Sequence, residues 1–515
     1  MTVATQITCP LAAYADLLDQ AGIVERRPGA PLEDGIEITY ATDDSRATRP
    51  GTLFVCKGAA FKREYLLGAI EAGAVAYVSA EDYGVDIPLL QVSDIRSALG
   101  LLADAAYDHP SGRVKVCAFT GTKGKTTSAY YLRSILAAHA EGAGAPAPAL
   151  LTGVEYDDGV ERGGSKLTTP ESFELQRRLA NAAGAGCGHV VMEASSQAMK
   201  YRRTLGVEFE VGAFTNFGED HISPIEHPTL EDYLESKLLL FERCRLAVVN
   251  LDSGVAGRAL AAARASGTVE RVLTYSMARP EADVAVLDHG RAEAGIRATV
   301  RTPSWTRELV VPSPALFNLG NALGAIACAE ALGVGPEAVE RGLAAVSVPG
   351  RMELHPSESG RVVGVVDFAH NGMSLEPLLR DLRASYPDRE LTVVFGATGG
   401  KGIDRRETMG AAAGSLADRI VITEDDPGPE DPATICEAIA RAASAQGNGN
   451  WIVVPDRGEA IIRAVRESAK PSVVVVTGKG CESTMIRRNG PEPYEPDGAR
   501  LRRALADWER EHPVA

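Results

Sequence analysis

The run Val116-Cys117-Ala118-Phe119-Thr120-Gly121-Thr122-Lys123-Gly124-Lys125-Thr126-Thr127 constrains this chain more than any other feature. An apolar strand pattern enters a glycine turn, and Lys-Thr-Thr then opens a helical stretch from Ser128 to Ala140. Glycine lets backbone N–H groups turn toward an anion, and a helix N-terminus adds its dipole. The lysine can reach β/γ-phosphates, and the hydroxyl after it can ligate Mg²⁺. Gly121, Thr122, Lys123, Gly124, Lys125, Thr126 and Thr127 are therefore expected to hold ATP, with Thr126 on the metal. Phe119 stands where the full G-x-x-x-x-G-K-[ST] pattern has its first glycine, so the loop is the shorter G-T-x-G-K-T form. Gly400-Lys401-Gly402 and Gly478-Lys479-Gly480 lack the hydroxyl after lysine and are not expected to bind Mg²⁺-nucleotide.

A length of 515 residues exceeds what one hydrophobic core serves and suggests about three domains. The formal charge of −16, with no basic tract, argues against nucleic acid or an anionic membrane as partner. Eight cysteines without a C-x-x-C pair suit reduced, structural thiols and a cytoplasmic home. No apolar run approaches the ~20 residues that span a bilayer, and no leader pattern is visible, so neither export nor membrane insertion is expected.

Residues 1–108 mix a helix (Leu11 to Ala21) with short strands at Thr52–Cys56, Val75–Ser79 and Leu89–Val92, which predicts a small α/β domain. Residues 109–348 carry strands at Val114–Phe119, His189–Glu193, Val211–Asn216 and Leu246–Asn250, a nucleotide-type sheet. Residues 349–515 alternate strand and helix most regularly and predict a doubly wound parallel sheet. Ligands of such sheets sit beyond the strand carboxyl ends. Here those ends carry His370-Asn371, Gly396 to Lys401, Asp425-Asp426-Pro427, Asp456-Arg457 and Gly478-Lys479-Gly480.

Glu193 ends the apolar run His189–Met192 and is a candidate metal ligand; His221, after Glu219-Asp220, is another. Lys237 falls on the apolar face marked by Leu234, Leu238 and Phe241. From the residues alone it is expected to snorkel to water. The other reading is a desolvated amine of lowered pKa, able to take up CO₂ as a carbamate that ligates Mg²⁺.

G-T-K-G-K-T-T, M-E-A-S-S, N-F-G-E-D-H, P-G-R-M-E and D-F-A-H-N occur in one order and together resemble the Mur ligase family of peptidoglycan-precursor amide synthetases. Asp44-Ser45-Arg46, Leu167-Thr168-Thr169-Pro170 and Pro455-Asp456-Arg457-Gly458-Glu459-Ala460 narrow the likeness to the MurE type, the UDP-N-acetylmuramoyl-tripeptide synthetases. The resemblance implies three α/β domains: a small one for the UDP substrate, a central phosphate-loop domain for ATP, and a C-terminal Rossmann-like domain for the incoming amino acid. It implies that Lys237 is carbamylated and that two Mg²⁺ are held with Glu193 and His221. It assigns Asn318, Asn321, Arg351 and Asp367 to the nucleotide, and Ser45, Arg46, Thr168, Thr169, Ser195 and Arg203 to the UDP-linked substrate. A monomer is expected.

The implied reaction is attack of the terminal carboxylate of UDP-MurNAc-L-Ala-D-Glu on ATP, giving an acyl phosphate that an amino acid's amine then captures. MurE-type enzymes that add meso-diaminopimelate resemble one another at Asp-Asn-Pro-Arg, whose arginine grips a second carboxylate. This chain has Asp425-Asp426-Pro427-Gly428, an acid for Asn and glycine for Arg. Such a pocket favours a side chain ending in an ammonium. His221 to Tyr233 and Gln197 also look like the lysine-adding subgroup, so L-lysine is the expected substrate; its site is Arg406, which the resemblance places on the amino acid's α-carboxylate, with Asp425, Asp426, Gly478 and Glu482. Gly428 and Cys481 leave ornithine or another diamine open. The competing readings are a diaminopimelate enzyme, a folylpolyglutamate-synthase-like ligase and a non-catalytic nucleotide-binding regulator.

Overall fold

The computed structural model describes residues 2–28, 34–58, 61–219, 222–223, 226–292, 295–400 and 402–512. It divides into two compact units, one of Met1–Leu287, Thr299–Arg307 and Asn321–Leu343, the other of Asp288–Ala298, Glu308–Gly320 and Ala344–Ala515.

In the first unit, a sheet of five strands runs in the order Val24–Arg26, Leu89–Val92, Ala74–Ser79, Thr52–Val55, Tyr40–Thr42. Its pairings are parallel except at the Val24–Arg26 edge. The helices Leu11–Gln20 and Ile95–Ala106 cover it, the latter capped by Asp94, whose side chain accepts from the backbone N–H groups of Arg96 and Ser97.

The larger sheet of the same unit places Lys115–Thr120 between His189–Glu193 and Phe209–Phe214, all parallel, with Cys244–Asn250 and Arg271–Ser276 beyond. Strands buried on both faces read as continuous apolar runs, and Val116 to Thr120 has no exposed position. The phosphate loop therefore leaves the middle of the sheet, where neighbours on both sides hold its start. The helix Lys125–Gly142 follows, slightly longer than the expected Ser128 to Ala140.

The second unit contains a sheet in the order Glu353–Pro356, Val362–Asp367, Ser472–Thr477, Glu390–Phe395, Arg419–Ile422, Trp451–Val453. It is parallel as expected, apart from an antiparallel edge strand, Glu353–Pro356, that the periodicity did not reveal. The helices Asp404–Leu416 and Pro432–Ala445 pack closely on it because Gly410 and Gly414 face the second helix. A Cβ at either position would come within 2.6 Å of the carbonyl oxygen of Ile439 or Ala443.

Among the described residues no helix is long and apolar enough to cross a membrane. All eight cysteines are free thiols.

Candidate functional site

The phosphate loop is shaped by contacts that leave no room for side chains. Gly121 has φ of 145°, and a Cβ there would lie 2.0 Å from Thr215 Oγ1; Gly124 has φ of 83°, and its Cβ would lie 2.2 Å from Asn321 Oδ1. Both positions thus require glycine twice over, by backbone conformation and by space. Asn216 fastens the loop from the next strand end: its Oδ1 accepts from Lys123 N at 2.8 Å and its Nδ2 donates to Lys123 O at 3.0 Å. Thr215 Oγ1 donates to the same carbonyl at 2.9 Å. Neither residue was among the sequence candidates, although Asn216 lies in the N-F-G-E-D-H segment.

Two of the candidates meet on this loop. Lys125 Nζ donates to Gly121 O at 2.9 Å, and Lys237 Nζ donates to the same oxygen at 2.8 Å. Lys237 is 1% exposed and its ammonium sits 4.0 Å from the centre of the Tyr233 ring. The snorkelling expectation is therefore wrong. The helix Leu230–Leu238 turns this face inward, and the aromatic ring and the loop carbonyl replace water around the amine. Two ammonium groups are held within two hydrogen bonds of each other, a cation pair suited to a polyanion.

Glu193 is buried at the end of its strand. Its Oε1 accepts from Thr126 Oγ1 and from Gly153 N, both at 2.9 Å. A hydroxyl and a carboxylate side by side at a phosphate loop form the sparse oxygen set that Mg²⁺ takes when phosphates and water complete its shell. His221, the other expected ligand, lies outside the described residues.

Thr168, Thr169, Ser195 and Arg203 gather beside Glu193. Thr169 Oγ1 donates to Glu193 O at 2.9 Å and accepts from Ser195 N at 3.0 Å, and Thr168 lies against Gly153. Arg203 Nε pairs with Glu171 at 3.0 Å, and Lys57 Nζ bridges Glu171 and Asp43, each at 2.6 Å. Ser45 and Arg46 occupy a 3₁₀ turn capped by Asp44, and the Arg46 side chain is mostly exposed and paired with that same Asp44. Lys57 and Glu171 were missed because lysine and glutamate in a loop carry no signal of their own.

A second missed group stands under Lys237. His227, 1% exposed, meets Asp232 Oδ2 through Nδ1 at 2.6 Å and Ser196 Oγ through Nε2 at 3.0 Å, with its ring 5.0 Å from that of Tyr233. Burial pushes the His227 pKa down although Asp232 pulls it up. A neutral ring fits these contacts and leaves Tyr233 firmly placed.

In the second unit, Asp367 receives the backbone N–H groups of Met352 and Ala369 at 2.9 and 2.8 Å. Burial raises its pKa despite the nearby Arg351, whose guanidinium lies 4.1 Å from the centre of the Phe368 ring. Asn318 is buried and donates to Ser313 Oγ at 2.8 Å.

The expected amino-acid residues form ion-paired chains at the strand carboxyl ends. Lys479, 1% exposed, donates to Asp426 Oδ1 at 2.9 Å and contacts Glu482 Oε2 at 2.5 Å. Gly478 is obligatory, since a Cβ there would lie 2.1 Å from Asp425 Oδ2. Burial lifts the Asp425 pKa to about 7, against the pull of Arg457 and Lys479. Glu424 pairs with Arg487 at 2.5 Å, and Arg457 is locked to Asp497 at 2.7 Å with both side chains fully buried. Arg406 meets Glu430 in a fork, Nη1 to Oε1 and Nη2 to Oε2, each 2.7 Å.

Two of the five strand ends serve local structure: Asn371 caps Gly372–Ser385 and Asp456 caps Arg457–Arg466. Of the two phosphate-loop look-alikes, Lys479 is bound to carboxylates as described, and Lys401 lies outside the described residues.

Comparisons with known proteins agree with this geometry. Residues 119–329 match the Mur ligase middle domain and residues 350–480 the Mur ligase glutamate ligase domain. The chain is similar to the UDP-N-acetylmuramoyl-L-alanyl-D-glutamate--L-lysine ligase of Enterococcus faecalis, 38% identical over 470 residues that cover 90% of this chain and 91% of that one. It superposes on a UDP-N-acetylmuramoyl-L-alanyl-D-glutamate--2,6-diaminopimelate ligase with a TM-score of 0.69 at 23% identity, covering 99% and 100% of the two chains. On the MurF ligase of Thermotoga maritima in complex with ADP it gives a TM-score of 0.58 at 18% identity, covering 92% and 97%. At such identities these structural likenesses concern the fold. With both domain matches, the E. faecalis relative aligned along nine-tenths of its length, and the short phosphate loop in the middle of its sheet, the chain belongs to the Mur ligase family.

Proposed function

We propose that the protein is an ATP-dependent ligase that joins L-lysine to UDP-MurNAc-L-Ala-D-Glu in the cytoplasm through an acyl phosphate. The observation that carries this reading is the Lys125 ammonium held against the Gly121 carbonyl of the glycine loop, beside the Thr126–Glu193 pair. Such a group neutralises charge on a phosphoryl group in transfer.

In this reading residues 1–108 hold the UDP moiety, with Ser45 and Arg46, and residues 109–348 hold ATP. Residues 349–515 hold the amino acid. Thr168, Thr169, Ser195 and Arg203 orient the acceptor carboxylate for in-line attack on the γ-phosphorus, while Lys125 steadies the developing charge. Asn318, Asn321, Arg351 and Asp367 fix the nucleotide. Thr126 and Glu193 would hold Mg²⁺, with His221 as the further ligand the resemblance implies, and Lys237 as its CO₂ adduct would hold a second ion; bound metal supplies further charge neutralisation of the transferred group. The lysine α-amine then attacks the acyl carbon, the amide forms and phosphate leaves. We take one chain as the catalytic unit, since every proposed site residue belongs to it.

Lysine is favoured by the charge around Asp426. Leaving aside the buried Asp425, five carboxylates, Glu424, Asp426, Glu482, Asp497 and Glu492, stand with three cations, Lys479, Arg457 and Arg487. The surplus is negative and suits an added ammonium. A dicarboxylate amino acid, as a folylpolyglutamate-synthase-like enzyme would need, suits it poorly, and diaminopimelate finds glycine at position 428 where its second carboxylate needs an arginine. The names carried by the lysine ligase relatives support the same choice.

The test offers the purified protein ATP, Mg²⁺ and UDP-MurNAc-L-Ala-D-Glu with a panel of amino acids, recording phosphate release and product mass. The expected outcome is release that depends on L-lysine, with a product heavier by one lysyl residue. Preference for diaminopimelate would overturn the pocket argument, and absence of release with every amino acid would favour a regulatory protein.

A further inference from the structure

Arg406 was expected to receive the α-carboxylate of the incoming amino acid, yet a carboxylate of the protein already fills its fork. The Arg406 side chain is 7% exposed, and its terminal nitrogens are both taken by Glu430, with Nη2 also directed at Thr398 O at 3.4 Å. Its Nε is shut away from solvent and, among the described residues, has no hydrogen-bond partner. An arriving anion therefore meets a fork already filled by Glu430. Glu430 is the accessible half of the pair at 29% exposure, and its Oε2 also accepts from Gly400 N at 3.1 Å.

The placement follows from the fold. Arg406 sits in the first turn of Asp404–Leu416, and Glu430 lies just before Pro432–Ala445. The glycine-lined contact of these helices at Gly410 and Gly414 brings their N-terminal ends together. A planar fork matched by two oxygens at equal distance is the geometry with which arginine binds any carboxylate, that of an amino acid included.

We propose that Glu430 is an internal competitor that occupies Arg406 until the α-carboxylate of the amino-acid substrate displaces it. This rests on the reading of Arg406 as the α-carboxylate receptor. The fork keeps a buried guanidinium paired while no substrate is bound, and it makes amino-acid binding an exchange of one carboxylate for another. An amine without a carboxylate cannot make that exchange, so the device selects for α-amino acids. The cost is affinity: only the fraction of molecules with Glu430 swung away is competent to bind.

The experiment compares the intact protein with Glu430→Gln and Arg406→Lys in the ATP-dependent ligation assay, using L-lysine and L-lysinamide as acceptors. Glu430→Gln should lower the KM for L-lysine by roughly tenfold, the scale expected if about a tenth of molecules are competent, and should leave the KM for L-lysinamide where it was. Arg406→Lys should raise the KM for L-lysine selectively. If Arg406→Lys acts so and Glu430→Gln leaves the lysine KM unchanged or raises it, the competitor idea is wrong while the receptor reading stands. If Arg406→Lys has no selective effect, the receptor reading itself fails. Should Glu430→Gln not fold, Glu430→Asp, whose shorter side chain weakens the fork but keeps the charge, must lower the lysine KM in the same direction or the proposal is overturned.

Discussion

The phosphate loop and the cluster around Asp426 both handle charge, but they are built from different materials. The loop is made of backbone: two glycines at positive φ, the N-terminus of Lys125–Gly142, and Asn216 and Thr215 bonded to main-chain atoms. Few side-chain choices can satisfy that geometry. The Asp426 cluster is made of side chains in pairs, Lys479 with Asp426 and Glu482, Arg406 with Glu430, Arg487 with Glu424. A rigid main-chain cradle suits a substrate that never varies, and exchangeable ion pairs suit a site that must discriminate among amino acids.

The sharpest way to break this comparison is Lys125→Ala. Loss of the loop cation should reduce turnover by roughly a thousandfold, on the scale of losing one charge-stabilising donor in a transition state, while the lysine KM changes little. Phosphate release under saturating substrates measures it. A loss below about tenfold, far short of that scale, would mean that the loop does not carry the chemistry.

Next in size is a stability effect confined to the second unit. Arg457 and Asp497 are fully buried and pair with each other. Arg457→Met strands the Asp497 carboxylate and should cost about 3–5 kcal/mol, read by denaturant unfolding. A loss under about 1 kcal/mol would place the pair among weak surface contacts.

How much of this could be read from the sequence follows the same division. The loop was legible because its requirements are local: Gly121, Gly124, Lys125 and Thr126 are consecutive or nearly so, and each has a role set by its neighbours. The parallel strands were legible because burial on both faces writes itself as unbroken apolar runs such as Val362–Asp367. Lys237 was misjudged from its helix face alone, since the groups that replace water around it, Tyr233 and the Gly121 carbonyl, include one 116 residues away in the chain. Glu430, Lys479 and Arg487 were invisible as partners for the same reason. An ion pair is a relation between distant positions, and neither half announces the other.

A smaller effect tests the side-chain half of the comparison. Asp426→Asn keeps a carbonyl oxygen for Lys479 and for Ile486 N but removes a charge. The KM for L-lysine should rise roughly tenfold, about 1.4 kcal/mol, with the KM for ATP unchanged. An equal rise in both would show that the mutation had disturbed the protein generally.

A further test of the side-chain cluster is its pH dependence. Asp425 keeps its proton to about pH 7 in the folded chain, whereas an unfolded aspartate loses it near pH ~4. The folded state therefore binds the additional proton between those values. This contribution to stability is complete below about pH 4, declines as the pH rises and is gone above about 7. Asp425→Asn should flatten the stability profile over that window and abolish any improvement of the lysine KM as the pH rises through about 7. Identical profiles for the two proteins would contradict the buried, protonated carboxyl.

The most direct test of the central claim, that the glycine loop with Lys125 activates a carboxylate for capture by an amine, follows one oxygen atom. UDP-MurNAc-L-Ala-D-Glu labelled with heavy oxygen in its terminal carboxylate is incubated with ATP, Mg²⁺ and L-lysine, and the released phosphate is examined by mass spectrometry. The account predicts that one labelled oxygen passes to phosphate for each peptide bond formed. Unlabelled phosphate accompanying peptide formation would contradict it.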